Sequence, residues 1–538
     1  MMDFGEILRA IGDFGCFQKL IIFGLSLPHV ILALSYSSFL FIQSDPERHC
    51  NTDWILRADP DLSTGEQLNL TLPREEDGSF SRCRMFVPVD WNISDIREHG
   101  LNETTGCRDG WVYTNSLYEA TIVTDFDLVC EKANMAGVSQ MVFMMGLLTG
   151  SFIFGPAANS YGRRRTTQLP VILLLIFPIA AGVSPNFSVY IVFQFIIGAA
   201  VGGYKMNSTL LATEWIGITR RSSASCLCQM FLAVGQCAIA GLVYVVPDWR
   251  KTQYIMGGAE ACVFLYIWWI PESARWLLGQ GRIKEANELI QKVAAINKKK
   301  IPDNLLGEVP EEQTVQSEGI RSILTSGVLM KYLLIMSFVW FSLSLGYFCL
   351  MLNVGGFGLN IFLVQFFFGF SELLASLVCL WVLELSGRKK CLMATLMTAG
   401  FLCLLTLAFP RDSAVVITIL VIMGKFFFSW ASSVCTIYIQ ELFPTSVRQS
   451  AVGLGYTAYR VGGLMSSVLN MLAVYHWSVP TTVFSSLAVV SGALVFLLPE
   501  TSKKELPDST SEAKGNRTIS DGETEGNLAE NNRKSTKL

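Results

Sequence analysis

The stretch "YGRRR" at residues 161–165 recurs as "SGRKK" at residues 386–390, and two further stretches repeat in the same order. "ATEWIGITRR" (212–221) is echoed by "IQELFPTSVR" (439–448), and "IPESARWLL" (270–278) is echoed by "LPETSKKEL" (498–506). The distances along the chain from Gly162 to Gly387, from Glu214 to Glu441 and from Pro271 to Pro499 are nearly equal. Three landmarks at one offset indicate two parallel repeats of the same architecture.

Hydropathy shows what each repeat contains. Mean hydropathy is +0.42, apolar residues make up 51% of the chain and charged residues only 16%. Twelve apolar runs are close to the ~20 residues that a helix needs to cross a bilayer, six in each repeat. They lie near 18–42, 135–158, 167–184, 189–213, 223–246, 252–270, 328–352, 359–383, 391–409, 414–438, 449–473 and 479–498. The sequence therefore predicts an all-α membrane protein with two six-helix bundles, the arrangement of the major facilitator fold.

The distribution of basic residues predicts the orientation. The first run is too long for a signal-peptide core and has no small-residue cleavage site, so we expect it to be retained as span 1. "GRRR" (162–165), the stretch 275–300, "GRKK" (387–390) and Arg448 all fall on one side of the predicted membrane. The positive-inside rule places that side, and both termini, in the cytoplasm.

A polar segment at 44–132 separates the first two spans and is predicted to be extracellular. It contains three glycosylation sequons, headed by Asn69, Asn92 and Asn102. It also contains four of the fourteen cysteines, Cys50, Cys83, Cys107 and Cys130. An even number of cysteines on the oxidising side predicts two disulfides, and the sequence leaves all three possible pairings open.

The remaining segments complete the predicted domain organisation. Residues 1–270 form the first bundle, 271–327 a cytoplasmic connector, 328–500 the second bundle and 501–538 a disordered tail. In the connector, Ile283, Ala286, Ile290 and Val293 follow helical spacing, which predicts an amphipathic helix under the bundle. The tail ends in Ser535, Thr536, Lys537 and Leu538 and is a candidate ligand for a PDZ domain.

Several stretches resemble the organic cation, anion and zwitterion transporters of the major facilitator superfamily, solute carrier family 22. They include "GDFGCFQ" (12–18), "PESARWLL" (271–278), "GFGLNIFLVQFFFG" (356–369) and "YIQELFPTSVRQSAVG" (438–453). Within the family the chain is most similar to the organic-anion branch, near its urate- and nicotinate-type carriers and a testis-expressed relative described as a riboflavin transporter. The resemblance implies a carrier that uses no ATP and no cofactor. The chain has no G-x-x-x-x-G-K-[ST] loop, and no set of residues predicts an enzyme.

Charged residues inside the spans are the candidate substrate ligands. Lys205 in span 4 and Arg460 in span 11 both lie roughly 14 to 17 Å from the cytoplasmic ends of their helices, at 1.5 Å per residue. Two cations at matched depth facing a water-filled cleft would bind an organic anion. Alternatively, Lys205 is neutralised by Glu260 or Glu372 and only fixes helix packing. Lys425 with Glu372 is a plausible structural pair.

The resemblance adds further expectations. Arg460 stands where anion- and zwitterion-transporting relatives carry arginine and cation-transporting relatives carry aspartate. Tyr347 and Phe348 match a paired aromatic position in the family's span 7, and we expect Phe231 and Gln236 of span 5 to join them in the cleft. The cation that many anion relatives carry in span 8 is replaced by Ser376. The expected gate and structural residues are Asn159, Arg163, Gln194, Glu214, Glu372, Glu384, Arg388, Lys425, Glu441 and Arg448.

Two of these positions depart from the family pattern. Asn159 replaces the usual acid after span 2, and Gln194 replaces the usual arginine of span 4. We interpret the two losses as one neutralised gate. The sequence predicts a plasma-membrane carrier of small organic anions. A carrier of a zwitterion or vitamin, such as carnitine or riboflavin, and a non-transporting scaffold or sensor are the alternatives.

Overall fold

The computed structural model describes residues 4–12, 14–42, 46–75, 78–114, 119–216, 221–299, 320–352, 359–410, 413–443, 445–476 and 478–501. The predicted tail and its PDZ-type ending lie outside these ranges, as does the later part of the connector. The side chain of Glu384 also lies outside the described residues, although its backbone belongs to a helix.

Long helices occupy all twelve predicted spans. Span 1 consists of two helices, Cys16–Ser26 and Pro28–Ile42, and the second begins on a proline because the missing N–H costs nothing in the first turn. The other spans, numbered 2 to 12, are Asn134–Tyr161, Arg163–Gly182, Phe187–Glu214, Arg221–Val245, Trp249–Ile267, Gly327–Leu352, Ile361–Ser386, Arg388–Leu405, Ala414–Leu442, Thr445–Met471 and Ser478–Val495.

Ten of these spans are long and apolar enough to cross a membrane on composition alone. The two that fall short are spans 6 and 11, which carry Glu260 and Arg460 in their interiors. Charged residues in a span are expensive in lipid and are normally turned toward the protein interior. Both side chains are indeed buried.

Each half of the chain builds its own core. One cluster of buried apolar side chains comes mainly from spans 1 to 6, and a second comes from spans 7 to 12. Glycines allow close packing within the first half. A Cβ on Gly146 or Gly150 of span 2 would lie 2.2 Å or 2.1 Å from a carbonyl oxygen of span 4, so only glycine fits there. The halves meet where span 5 packs on span 8 and span 2 packs on span 11.

Residues 46–132 form a small folded unit that we call the loop domain. It contains the helices Thr64–Thr71, Ile93–His99 and Ile122–Asp125, the 3-10 turns Asp53–Arg57 and Cys130–Lys132, and four short strands. Strand β1 (Glu47–Cys50) pairs antiparallel with β4 (Trp111–Thr114), and β2 (Arg84–Phe86) pairs with β3 (Thr104–Gly106). The hydropathy pattern did not predict these strands. We call the membrane face that carries this domain the loop side.

Two disulfides hold the loop domain together. They join Cys50 to Cys107 and Cys83 to Cys130, which confirms the predicted disulfides and selects one of the three pairings. Cys50 is buried with Leu72 and Met85 in a core too small to be stable by itself, so cross-links are needed. The sequon residues Asn69, Asn92 and Asn102 are all exposed.

The opposite face, the connector side, carries the helices Phe4–Ile11, Ala274–Gly279, Ile283–Ile296 and Ile320–Thr325. In Ile283–Ile296 the side chains of Ala286, Ile290 and Val293 are buried, whereas Ile283 is exposed. Asn297 follows this helix and ties it to the start of the chain. Its amide donates to the carbonyl of Ile11 at 3.1 Å and to Gln18 Oε1 at 2.9 Å. Short 3-10 turns, Thr406–Ala408 and Leu472–Val474, lie at the loop-side ends of spans 9 and 11.

Candidate substrate-binding site

Tyr36 of span 1 lies between the two candidate cations. Arg460 Nη1 donates a hydrogen bond to the Tyr36 hydroxyl at 3.2 Å, and Lys205 Nζ lies 5.8 Å from the centre of the Tyr36 ring. Lys205 takes part in none of the ion pairs found among the described residues. Spans 4 and 11, from opposite halves, thus bring two cations to one tyrosine.

Two adjoining cavities open on this group. The larger, of about 710 Å³, is lined by both Lys205 and Arg460. The smaller, of about 480 Å³, is lined by Lys205 together with Tyr347 and Phe348. Five residues line both cavities: Lys205, Gln229, Ser432, Ser433 and Tyr459. Lys205 therefore lies at the junction of a cationic cavity and an aromatic one.

A buried network closes one wall of the smaller cavity. Glu372 accepts a hydrogen bond from the Tyr347 hydroxyl at 2.8 Å, and Gln236 donates to the same hydroxyl at 2.9 Å. Lys425 Nζ lies 3.7 Å from Glu372 Oε2, and its side chain is 0% exposed. The carboxylate of Glu372 therefore already contacts Lys425 and Tyr347. The hydrogen bond from Gln236 to Tyr347 links span 5 of the first half to span 7 of the second.

Glu260 has a different environment. It is 0% exposed in span 6, and neither carboxylate oxygen has a hydrogen-bond partner among the described residues. The sequence left open whether Glu260 or Glu372 neutralises Lys205, and the structure shows neither pair. Around the cleft, three cations (Lys205, Lys425 and Arg460) therefore stand against the single carboxylate of Glu372.

Four of the predicted gate residues, Arg163, Glu214, Arg388 and Glu441, build two equivalent networks on the connector side. In the first half, Arg163 pairs with Glu214 at 3.2 Å, and Glu272 accepts hydrogen bonds from the backbone N–H groups of Arg163 and Arg164 at 2.8 and 3.0 Å. Asn159 joins this network, accepting a hydrogen bond from Arg163 Nη1 at 3.0 Å.

The second half repeats the arrangement. Arg388 pairs with Glu441 at 3.0 Å, and Glu500 accepts from the backbone N–H of Arg388 at 2.9 Å. Gly162 and Gly387, which precede the two arginines, both have positive φ, at +97° and +79°, a conformation that favours glycine. Arg448 lies nearby in span 11 and donates to the carbonyl of Phe443 at 3.2 Å.

Two sequence-based expectations are wrong. Gln194 does not lie with Asn159, because it is in the loop-side half of span 4, roughly 30 Å along the helix from Glu214 at 1.5 Å per residue. The two residues cannot form one gate. Phe231 lines neither cavity; its ring packs at 5.6 Å against Phe23, which is 53% exposed on the outside of the bundle. Span 5 presents Gln229 and Leu232 to the cleft instead.

Several cleft residues were not anticipated, chiefly His29, Tyr36, Gln229, Ser432, Ser433 and Tyr459. A signal for Tyr36 exists in the sequence, where "SYSS" (35–38) places a polar cluster inside an otherwise apolar span. Likewise, Tyr459 is adjacent to Arg460, and the serines lie in the run "SWASS" (429–433). The signal for His29 is an ionisable side chain inside the predicted apolar span 18–42, where such residues are rare.

Comparison with known proteins agrees with this architecture. The family model described as "Sugar (and other) transporter" matches residues 94–511. Human solute carrier family 22 member 13 is 35% identical over 511 residues, which cover 95% of this chain and 93% of that protein. Human member 14 is also 35% identical, covering 94% and 87%. Rabbit (Oryctolagus cuniculus) member 6 is 32% identical, covering 96% and 95%.

A solved structure supports the fold. The xylose transporter XylE from E. coli, in a partially occluded inward-open conformation, aligns with a TM-score of 0.62 at 13% identity, covering 93% of this chain and all of that one. Twelve spans folded in this way define a multi-pass membrane transporter of the major facilitator superfamily, as predicted, and not an enzyme. The chain belongs to solute carrier family 22, within the wider family of sugar and other transporters.

Proposed function

We propose that this protein carries small organic anions across the plasma membrane by alternating access, with Lys205 and Arg460 holding the anionic group. The observation that carries the proposal is that two cations from opposite halves line one cavity and approach one tyrosine. A carboxylate placed between them would receive charge-assisted hydrogen bonds, the strongest kind available to a small anion. The rings of Tyr347 and Phe348 in the adjoining cavity would accept a flat apolar body.

The charge balance favours an anion over a zwitterion such as carnitine. Glu372 is the acidic residue that lines the smaller cavity and that could neutralise the cationic group of a zwitterion. That carboxylate is occupied by Lys425 and by the Tyr347 hydroxyl. Binding a substrate cation there would require breaking a buried pair, which is costly.

The networks on the connector side favour a working carrier over a scaffold. Both halves keep an arginine paired to a glutamate where the helix ends meet, Arg163 with Glu214 and Arg388 with Glu441. Asn159 has lost the acid expected at its position but still bonds Arg163. The chain thus retains paired charges that can hold the connector side closed in one state and release it in the other.

Uptake kinetics of Lys205→Ala and Arg460→Ala test the anion site. Removing one charge-assisted hydrogen bond costs on the order of 1.5 to 3 kcal/mol, so we expect the affinity for aromatic and aliphatic carboxylates to fall about ten- to hundredfold. Surface labelling should remain near normal. Lys292→Ala, which removes an exposed charge on the connector helix, is the matched control and should change neither property.

The opposite pattern would reject the proposal. If Lys205→Ala and Arg460→Ala both bind carboxylates as tightly as the unmodified protein, the cations do not hold the substrate. A panel of urate, nicotinate, a dicarboxylate, carnitine and riboflavin distinguishes the substrate classes. Uptake of carnitine alone would favour the zwitterion alternative.

The same proposal places the loop domain outside the cell and both termini in the cytoplasm. Its exposed sequons, Asn69, Asn92 and Asn102, should then carry glycans. Glycosidase treatment is expected to increase the gel mobility of the mature protein, and replacing all three asparagines with glutamine should remove the difference. Unchanged mobility after glycosidase would contradict this orientation. The PDZ interaction of the tail stays a prediction from sequence, testable by pull-down with and without the last four residues.

A further inference from the structure

His29 occupies an unusual position in the cleft. It lies in the first turn of the second helix of span 1, is 1% exposed, and lines the larger cavity together with Lys205 and Arg460. A buried histidine in a membrane span is expensive unless both ring nitrogens are used.

One ring nitrogen is held by the backbone. Nδ1 lies 3.1 Å from the carbonyl oxygen of Leu25, and a carbonyl can only accept, so Nδ1 carries the proton. The same carbonyl accepts the Tyr204 hydroxyl at 3.1 Å, and the Tyr204 ring packs edge-on against His29 with centroids 5.8 Å apart. Span 4 therefore fixes the orientation of the imidazole.

The other nitrogen, Nε2, has no hydrogen-bond partner among the described residues. With the proton on Nδ1, Nε2 of the neutral ring is an acceptor. A second proton would add a positive charge to a cavity that Lys205 and Arg460 already line, which Coulomb repulsion opposes. His29 Nε2 thus adds a fixed acceptor to the cationic donors of Lys205 and Arg460 in this cavity.

We propose that His29 is a specificity-determining residue whose Nε2 accepts a hydrogen bond from the substrate. This rests on the anion-carrier function proposed above and narrows the substrate class. The favoured substrate is an organic anion that also carries an O–H or N–H donor, such as a hydroxylated aromatic acid. The anionic group binds to Lys205 and Arg460, and the O–H or N–H group donates a hydrogen bond to His29 Nε2. A substrate without the donor leaves a buried acceptor unpaired, which weakens binding.

The test compares benzoate with its 2-, 3- and 4-hydroxy derivatives as competitors of uptake by the full-length protein. At least one hydroxybenzoate should bind roughly 5- to 100-fold more tightly than benzoate, and the corresponding methoxybenzoate should lose that advantage. In His29→Phe the preference should disappear, because the hydroxyl of the hydroxybenzoate no longer has the Nε2 acceptor. His29→Gln keeps an acceptor oxygen and should retain part of the preference.

Tyr204→Phe is the matched control. It removes the hydroxyl that shares the Leu25 carbonyl but leaves Nε2 of His29 in place. If His29 only stabilises span 1, Tyr204→Phe and His29→Phe should have the same effect on the preference for hydroxybenzoate over benzoate. If Nε2 accepts a hydrogen bond from the substrate, Tyr204→Phe should keep that preference. Equal binding of benzoate and every hydroxybenzoate, or a preference that persists in His29→Phe, overturns this inference alone. Failure of all of these acids to bind overturns the anion-carrier function and this inference with it.

Discussion

The two halves of the molecule are alike at the connector side and unlike inside the membrane. At the helix ends, Arg163, Glu214 and Glu272 in the first half have counterparts in Arg388, Glu441 and Glu500 in the second, with the same backbone and side-chain contacts. Inside the spans, the second half contains a closed ion pair, Lys425 with Glu372. The first half has Lys205 and Glu260, and neither forms an ion pair among the described residues.

This difference distinguishes charges that both halves share from charges that only one half carries. A network that appears in both repeats has a role common to both halves, namely to hold the helix ends together and to let them separate. A charge that appears in only one half has a role that the other half does not repeat. Lys205 and Arg460 are of this second kind, and they meet at the interface of the halves, where transporters of this fold place their substrates.

Breaking the paired charge of the second half should have the largest effect. Glu372→Gln keeps an acceptor for the Tyr347 hydroxyl but leaves Lys425 buried without a counter-charge, a change that typically costs about 3 to 5 kcal/mol. We expect surface expression and thermal stability to fall sharply. Lys425→Met combined with Glu372→Gln should restore most of both, because no uncompensated charge remains.

Glu260→Gln is the matched control in the first half. Glu260 is also buried, but it has no cationic partner among the described residues that the substitution would leave unpaired, so expression should stay close to normal. Surface biotinylation and melting of the detergent-solubilised protein measure all three variants. A loss in Glu260→Gln as large as that in Glu372→Gln would erase the distinction between the two halves.

A cross-link between the halves should stop transport without reducing stability. Cys226 of span 5 and Cys379 of span 8 are buried free cysteines on two spans that pack together across the halves, and Cys226 lines the larger cavity. These spans must part toward the connector side if the cavity is to open there. Oxidation with copper phenanthroline should inactivate the cross-linked fraction, and a reducing agent should restore it.

Cys226→Ser serves as the control for this experiment. It should transport normally and resist the oxidant, whereas replacing the exposed Cys262 should leave the sensitivity unchanged. Transport that continues in fully cross-linked protein would show that spans 5 and 8 do not separate at this level.

The smallest effect is expected at Asn159, which belongs to the connector-side network of the first half. Asn159→Asp would place a carboxylate about 3 Å from Arg163 Nη1, but the site is exposed and Arg163 already pairs with Glu214. Exposed ion pairs contribute only about 0 to 1 kcal/mol, so uptake rates should change no more than a few-fold.

The same experiment tests the separation of Asn159 from Gln194. Adding Gln194→Arg should produce an independent effect, since sites far apart combine additively. Uptake rates of the two single variants and the double variant therefore decide whether the residues are coupled. Strong coupling between them would contradict the distance along span 4.

Features of the fold that depend on local composition and on repetition could be predicted from the sequence. The length of an apolar run sets whether a helix can cross a bilayer, so all twelve spans could be read directly. Likewise, the repeats around Gly162 and Gly387 pointed to Arg163, Glu214, Arg388 and Glu441 but not to Glu272 and Glu500, because equal offsets in a duplicated fold fall at equal places. The even number of loop cysteines predicted disulfides without their pairing.

Which side chains face the cleft depends on the tertiary packing of the spans and could not be predicted from the sequence. Successive residues of a helix point about 100° apart, and a span that is apolar all round gives no sign of which face is turned inward. Phe231 therefore turned away while Gln229 turned toward the cavities, and His29 and Tyr36 joined Lys205 and Arg460. The disulfide pairing and the lack of a partner for Glu260 among the described residues were settled in the same way, because both depend on contacts between segments far apart in the chain.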